Sequence, residues 1–398
     1  MSLFFLGLTD VQVIPVLLPA FESGFSVSIA MAGSLVTLYS LAAALSALVV
    51  GPLSDRFGRM RFIRAGAGLF ALAALLGAMA DRFWGLAVAR MMAGAAGGIF
   101  STCIVALIAD RFTFERRGRA MGWVAGMYSL AAVAGVPTGA FVASAFGWRV
   151  IFWGFGLLAL LLSLILPRIN DPQLYTGLAG PLVPRRFARQ QIGQYLNFLK
   201  RPIPRRGLWL AIAVVSSTTS LITYLAAWLV DGFGYTMADV AVVFLVTGGA
   251  MVVGSVAGGW LADRLGKRFL LAGWSALLAP VLLTVVAIES RGAVMLYCLT
   301  GGLLLSLREA PYQAVITELV PAEQRGAYLA MRSTIAKLAI AASALVAGQL
   351  FEHLGFVAVA GFAALCSGVA LVIAAVRLHL PPEETPDAVT PSTTQMHF

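Results

Sequence analysis

The sequence predicts an all-α membrane protein of twelve spans, built as two homologous six-span halves. Composition is the first observation: 60% of the 398 residues are hydrophobic and only 12% are charged, against about 25% charged in soluble domains. Second, apolar runs of about 20 residues recur from end to end, each long enough to cross a hydrocarbon core of about 30 Å. Lipid offers the backbone no hydrogen bonds, so runs of that length must satisfy their own amides as helices. Third, the stretch Gly51-Pro52-Leu53-Ser54-Asp55-Arg56-Phe57-Gly58-Arg59 returns 208 positions later as Gly259-Trp260-Leu261-Ala262-Asp263-Arg264-Leu265-Gly266-Lys267. Two such loops in register divide the chain into homologous halves.

Taken in order, the spans fall at about 2–21, 28–50, 62–80, 83–108, 118–145, 148–166, 207–230, 238–260, 269–289, 293–317, 326–351 and 354–376. The first run holds Asp10 and lacks a basic leader or a small-residue cleavage site, so it reads as a retained span. Residues 1–166 make the first bundle and 207–380 the second. Between them, residues 167–206 form a proline-flanked linker, in which Ile192, Tyr195, Leu196 and Leu199 are spaced for an amphipathic helix on the membrane face. The polar tail 381–398 is expected to be disordered.

Orientation follows from the basic residues. With the N-terminus inside, 21 of the 28 lysines and arginines fall in inner loops, 3 in outer loops and 4 within spans. Both termini are therefore expected in the cytoplasm of an inner-membrane protein. The net charge of +10 then needs no nucleic acid, because basic inner loops face anionic lipid. Cys103, Cys298 and Cys366 all lie in apolar runs and the three histidines have no ligand spacing, so neither a disulfide framework nor a metal site is expected. There is no Gly-x-x-x-x-Gly-Lys-(Ser/Thr) nucleotide loop and no Ser–His or Cys–His constellation, which argues against an ATP-driven pump, an enzyme or a bound cofactor.

The duplication reaches further. Asp110, Glu115, Arg117 and Gly118 correspond to Glu318, Glu323, Arg325 and Gly326, and Phe146-Gly147-Trp148 to Leu354-Gly355-Phe356, all at the same 208-residue offset. The two Gly-x-x-x-Asp-Arg-x-Gly-(Arg/Lys) loops resemble the signature of the major facilitator superfamily, over essentially the whole chain. That resemblance implies the major facilitator fold, two pseudo-symmetric six-helix bundles that rock about a central site. It also implies a latch built on Gly51, Asp55, Arg56, Gly58, Arg59, Asp263, Arg264 and Gly266, in which Asp55 pairs with a basic residue of the neighbouring bundle in one access state. Met60 departs from the pattern, where a further basic residue is common. Arg90-Met91-Met92-Ala93-Gly94 with Gly98 is similar to the superfamily's span-four arginine motif. Gly135-Val136-Pro137-Thr138-Gly139 resembles the antiporter motif of twelve-span drug–proton and sugar exporters, with Val136 where glycine is usual.

Charged residues inside spans tend to face a cavity or a partner, since each costs about 2.5–3.5 kcal/mol at the bilayer centre. They are Asp10, Arg90, Arg308, Glu309, Arg332 and Lys337. Counting the helical rise puts Asp10 about 12 Å from the inner face and Arg90 about 10 Å from the outer face, so Arg90 is expected to stand apart. Glu309 is expected to pair with Arg332 or Lys337, while Asp10 and Arg308 face the cavity from opposite halves. Asp10 is the first candidate for proton coupling and Glu309 the second. Substrate contacts are expected from Gln12, Tyr39, Arg90, Tyr128, Thr218, Thr219, Tyr224, Arg308, Gln313, Arg332 and Lys337, Thr218 being the repeat position of Asp10. The expectation is a monomeric secondary transporter, exchanging protons for a small organic compound in the manner of an exporter. Proton-coupled or facilitated uptake of an organic anion, or flipping of a lipid, are the alternatives.

Overall fold

A computed structural model describes residues 2–111, 123–124, 126–165, 193–321 and 324–377. Most of the linker, Ile192 of its expected stripe and the tail 381–398 lie outside these. Among the described residues the structure is helical, without strands. The first half runs α1 (Ser2–Phe25), α2 (Ile29–Phe57), α3 (Arg59–Ala78), α4 (Phe83–Arg111), α5 (Gly126–Phe146) and α6 (Trp148–Ile165). The second runs α7 (Pro202–Phe233), α8 (Met237–Leu265), α9 (Lys267–Leu283) and α10 (Arg291–Glu318), then one helical run over Arg325–Val372. That run is interrupted at Gly355, where φ is +75°. It is therefore two helices, α11 (325–354) and α12 (from 356), and the described residues are consistent with twelve spans. The protein is a multi-pass membrane protein.

The repeat is visible in the backbone. Gly58 ends α2 at φ 98°, ψ 125°, and Gly266 ends α8 at φ 93°, ψ 124°. Only glycine adopts that region without strain, so the same sharp reversal is made twice at positions 208 apart. Gly147 (φ 84°) and Gly355 (φ 75°) do the same between the fifth and sixth spans of each half. Side chains follow suit. Arg59 Nε meets the Asp110 carboxylate at 2.6 Å, and its repeat counterpart Lys267 is paired with Glu318, the counterpart of Asp110. Each pair ties the start of a third helix to the end of a fourth. Asp55 lies 3.0 Å from Arg59 in its own half, where an inter-bundle partner was expected, while Asp263 is exposed and makes no ion pair among the described residues.

The membrane face bearing the Gly58 and Gly266 turns is termed here the loop side, and its opposite the far side. Contacts joining the halves gather on the far side. The Ser28 hydroxyl donates to Glu352 at 2.9 Å, and Thr37 donates to the Ala341 carbonyl at 3.0 Å. Tyr224 of α7 wedges between α2 and α11, its hydroxyl donating to the Ala344 carbonyl at 2.8 Å and its ring stacked on Phe351. A Cβ at Gly33 would come within 1.9 Å of the Tyr224 hydroxyl oxygen, so only a glycine admits this approach. Tyr224 is thus consumed by the far-side seam.

Of the stripe expected on the membrane face, Tyr195, Leu196 and Leu199 are among the described residues. In residues 193–200 it is Phe198 that is buried, 5.3 Å from the Tyr328 ring, with Tyr195 beside it and Leu196 and Leu199 exposed. The segment docks onto the second half through Phe198, edge-on to Tyr328, with Tyr195 packed on the same cluster.

Candidate functional site

The two halves treat their buried charges differently. In the first, α1 delivers Asp10 and α4 delivers Arg90 to one another. Arg90 Nη1 lies 2.7 and 2.8 Å from the two Asp10 oxygens, and both residues are 1% exposed. The Tyr39 ring lies 4.8 Å from the guanidinium carbon. Small residues allow this. A Cβ at Gly94 would stand 2.2 Å from the Tyr39 carbonyl oxygen, so α4 lies directly against α2 and brings Arg90 over the ring. On the other side Gly139 packs against Val13, where a Cβ would fall 2.4 Å from the valine methyl. Pro137 supplies no amide to the preceding turn, and the helix answers with a π stretch over Ala131–Gly135 in which the Val136 amide reaches the Ala131 carbonyl. The two motifs therefore converge on α1, Arg90 at Asp10 and the Gly135–Gly139 stretch at Thr9 and Val13.

This corrects two expectations. Arg90 does not stand apart, and Asp10 does not face a cavity. A carboxylate in so dry a place is tolerable only beside a cation, and Arg90 is the cation whose stem reaches it.

The second half has no such pair. Arg308 of α10 is fully buried, and no carboxylate lies within 4 Å of it among the described residues. Its donors go to neutral groups: the Val214 carbonyl at 3.2 Å, Thr218 Oγ1 at 3.1 Å and Ser367 Oγ at 3.3 Å, while its Nε has no partner. Ser367 in turn donates to the Ser275 carbonyl. Arg308 is thus the hub of α7, α9, α10 and α12, and the expectation that it lines a cavity is also corrected.

What lies between the halves is a different set. Arg332 Nη1 donates to the Tyr312 hydroxyl at 3.2 Å and to Gln313 Oε1 at 3.1 Å. Gln313 passes the contact on, its amide donating to Glu309 at 2.6 Å. Glu309 therefore meets Arg332 only through Gln313, where direct pairing was expected. Lys337, also expected beside Glu309, reaches the other half and donates to Ser101 of α4 at 3.0 Å. Tyr128 of α5 lies within electrostatic reach of Arg332 and Glu309, and 51% of its surface is accessible. An accessible side chain of the first half that lies within reach of charges of the second lines the crevice between them, not an outer face. Glu309, Arg332 and Lys337 are partly exposed and Gln313 is exposed, so the crevice has four polar groups from the second half and Ser101 and Tyr128 from the first. Gln12, Thr218 and Thr219 are partly exposed as well, whereas Tyr39 is buried under Arg90.

The sequence expectations miss Ser101, whose hydroxyl meets the Lys337 ammonium of the other half. Its only sequence signal is a serine at mid-span, which is uninformative because most such hydroxyls bond their own helix.

A family model for the Major Facilitator Superfamily matches residues 1–307 and 267–394. The chain belongs to the Major Facilitator Superfamily. Among similar proteins are two from Bacillus subtilis (strain 168), both described as uncharacterized MFS-type transporters. YbcL is 25% identical over 384 residues, covering 96% of this chain and 95% of YbcL. YwfA is 25% identical over 364 residues, covering 90% and 86%. The crystal structure of a bacterial homolog of the human lysosomal transporter Spinster, in an inward-facing and occupied conformation, superposes with a TM-score of 0.70 at 16% identity, covering 94% of this chain and 92% of that one. At that identity the match speaks for the fold alone. This major facilitator protein has the two-bundle architecture of its family, closed on the far side and with its polar crevice toward the middle.

Proposed function

We propose that the protein is a monomeric, proton-coupled exporter of a small organic compound in a bacterial inner membrane, with the loop side and both termini in the cytoplasm. The observation that carries this reading is the crevice itself. It joins a carboxylate, Glu309, to residues of both halves, while the far-side seam is sealed by Tyr224, Ser28 and Thr37. Rocking the halves would open that seam and close the crevice, which is alternating access. The excess of basic residues on the loop side supports the assignment of that side to the cytoplasm.

We assign the exchanged proton to Glu309, because it is partly exposed and its direct partner among the described residues is the neutral Gln313. Asp10 has the weaker claim, being sealed beneath Arg90. Substrate would contact Gln313, Arg332, Lys337 and Tyr128 in the crevice, with Gln12, Thr218 and Thr219 at its margin. Each conformational cycle would carry a proton in as substrate moves out.

Proteoliposomes loaded with pyranine test the coupling. Under an imposed substrate gradient the wild type should move protons opposite to substrate, and Glu309→Gln should lose proton movement while keeping substrate counterflow. Proton flux that persists in Glu309→Gln but vanishes in Asp10→Asn would return the role to Asp10.

A further inference from the structure

We propose that the crevice recognises an anionic group on an organic substrate, a carboxylate or phosphate held by Arg332 and Lys337. The inference rests on reading the crevice as the substrate path, and it assigns the charge of the substrate, which that reading leaves open.

The first argument is charge balance. Asp10 and Arg90 cancel within the first half. The charges left at mid-membrane are Arg308, Arg332 and Lys337 against Glu309 alone. Neither Arg332 nor Lys337 has a carboxylate within 4 Å among the described residues. Lys337 makes its hydrogen bond to a neutral hydroxyl, and a lone ammonium inside a span is costly unless an anion arrives to meet it.

The second argument is geometric. Both hydrogen bonds of Arg332 leave from one nitrogen, Nη1, toward Tyr312 and Gln313. Its Nε is withdrawn from solvent and has no acceptor. Among the described residues no acceptor meets the Nε–Nη2 edge, and two parallel N–H groups on one edge of a guanidinium are the fork that matches the two oxygens of a carboxylate or phosphate. The Tyr312 and Gln313 contacts hold the other edge, so the guanidinium plane is fixed before any anion binds. Lys337 lies five residues further along α11, about 7.5 Å along the axis, and leans toward α4. An anion at the Arg332 fork would have this second cation within Coulombic reach, and drawing Lys337 off Ser101 would couple its arrival to a contact that joins the halves.

The test uses the full-length protein purified in a neutral detergent. Thermal unfolding is followed at constant ionic strength with short- to medium-chain carboxylates, and with the amines and alcohols of the same chain lengths. The carboxylates should raise the melting temperature while amines and alcohols of equal length do not. In Arg332→Gln the apparent affinity for the carboxylate should fall about tenfold or more, the loss expected for a charge-assisted fork. Arg332→Lys, which keeps charge but not the fork, should also lose most of it, and Lys337→Gln should weaken it less. Amines or alcohols that stabilise as well as the acids would overturn the proposal. So would an absence of any carboxylate effect, or a carboxylate effect indifferent to both substitutions. Phosphatidylglycerol added to the detergent forms a separate arm: a shift abolished by Arg332→Gln would keep the anion site and give its occupant as a lipid headgroup. Failure of proteoliposomes to transport an acid that binds would fault the transport reading and leave the anion site standing.

Discussion

The two halves share a backbone plan and differ in how they handle a buried arginine. Span one of the first half carries Asp10, and the same position in the second half carries Thr218. Each is met by an arginine from the fourth helix of its half, Arg90 in one case and Arg308 in the other, though the two arginines are not repeat counterparts. One meeting is an ion pair and the other a cation among neutral oxygens. The position on the first helix of each bundle is shared, and the arginine that meets it comes from a different level of the fourth helix, with different electrostatics. The first half is neutral at that point, while the second retains an excess of positive charge beside the crevice.

Breaking the pair in the first half should have the largest effect. Asp10→Ala leaves Arg90 buried without a counter-charge, and a buried pair stripped of one partner loses about 3–5 kcal/mol. The expected result is a large fall in melting temperature or loss of folded protein. An Asp10→Asn/Arg90→Gln double variant, in which both charges go together, should recover much of it. If the single and double variants fall equally, the pair is not what holds α1 to α4. In the second half, Arg308→Met should change stability by no more than about 1 kcal/mol, because it removes an uncompensated cation along with its three hydrogen bonds to neutral acceptors. A loss as large as that of Asp10→Ala would mean the two arginines are equivalent after all, and the comparison would fail.

Much of this contrast was hidden in the sequence, for identifiable reasons. The spans, the 208-residue offset and the glycine turns were legible because they depend on apolar run length and on local backbone geometry. The offset also placed Lys267–Glu318 opposite Arg59–Asp110, since a duplicated backbone puts counterparts in equivalent positions. The Asp10–Arg90 pair was not legible. Counting rise along a helix gives depth only for an upright rod and says nothing of which way a side chain points. α1 carries Pro15 and Pro19, α4 is 29 residues long, and the arginine stem adds several ångströms of reach. The crevice was half legible: Glu309, Gln313, Arg332 and Lys337 stood out as polar residues in apolar runs, but their order of contact depends on the azimuths of α10 and α11. Phe198 escaped notice because a lone aromatic docking on Tyr328 leaves no periodic trace.

The smallest expected effect separates the two signature loops. Asp55 pairs with Arg59, while its counterpart Asp263 is exposed and unpaired among the described residues. Partial burial nevertheless holds the Asp55 carboxyl above its ordinary range, with Arg59 opposing and Asp110 adding to the rise. An acid whose pKa is raised by folding binds its proton more tightly in the folded state. Its contribution to stability is therefore greatest at low pH and declines as pH climbs from about 3.9, the value expected unfolded, through the raised folded value. At neutral pH the Asp55 charge is thus a slight burden in this conformation despite its ion pair. Asp55→Asn should leave the melting temperature unchanged or marginally raised, within about 0.5 kcal/mol given solvent screening, and Asp263→Asn should do less. If Asp55→Asn also slows turnover in proteoliposomes while substrate affinity holds, the carboxylate must find its partner in the other access state. A clear drop in stability on Asp55→Asn would place its work in the conformation described here.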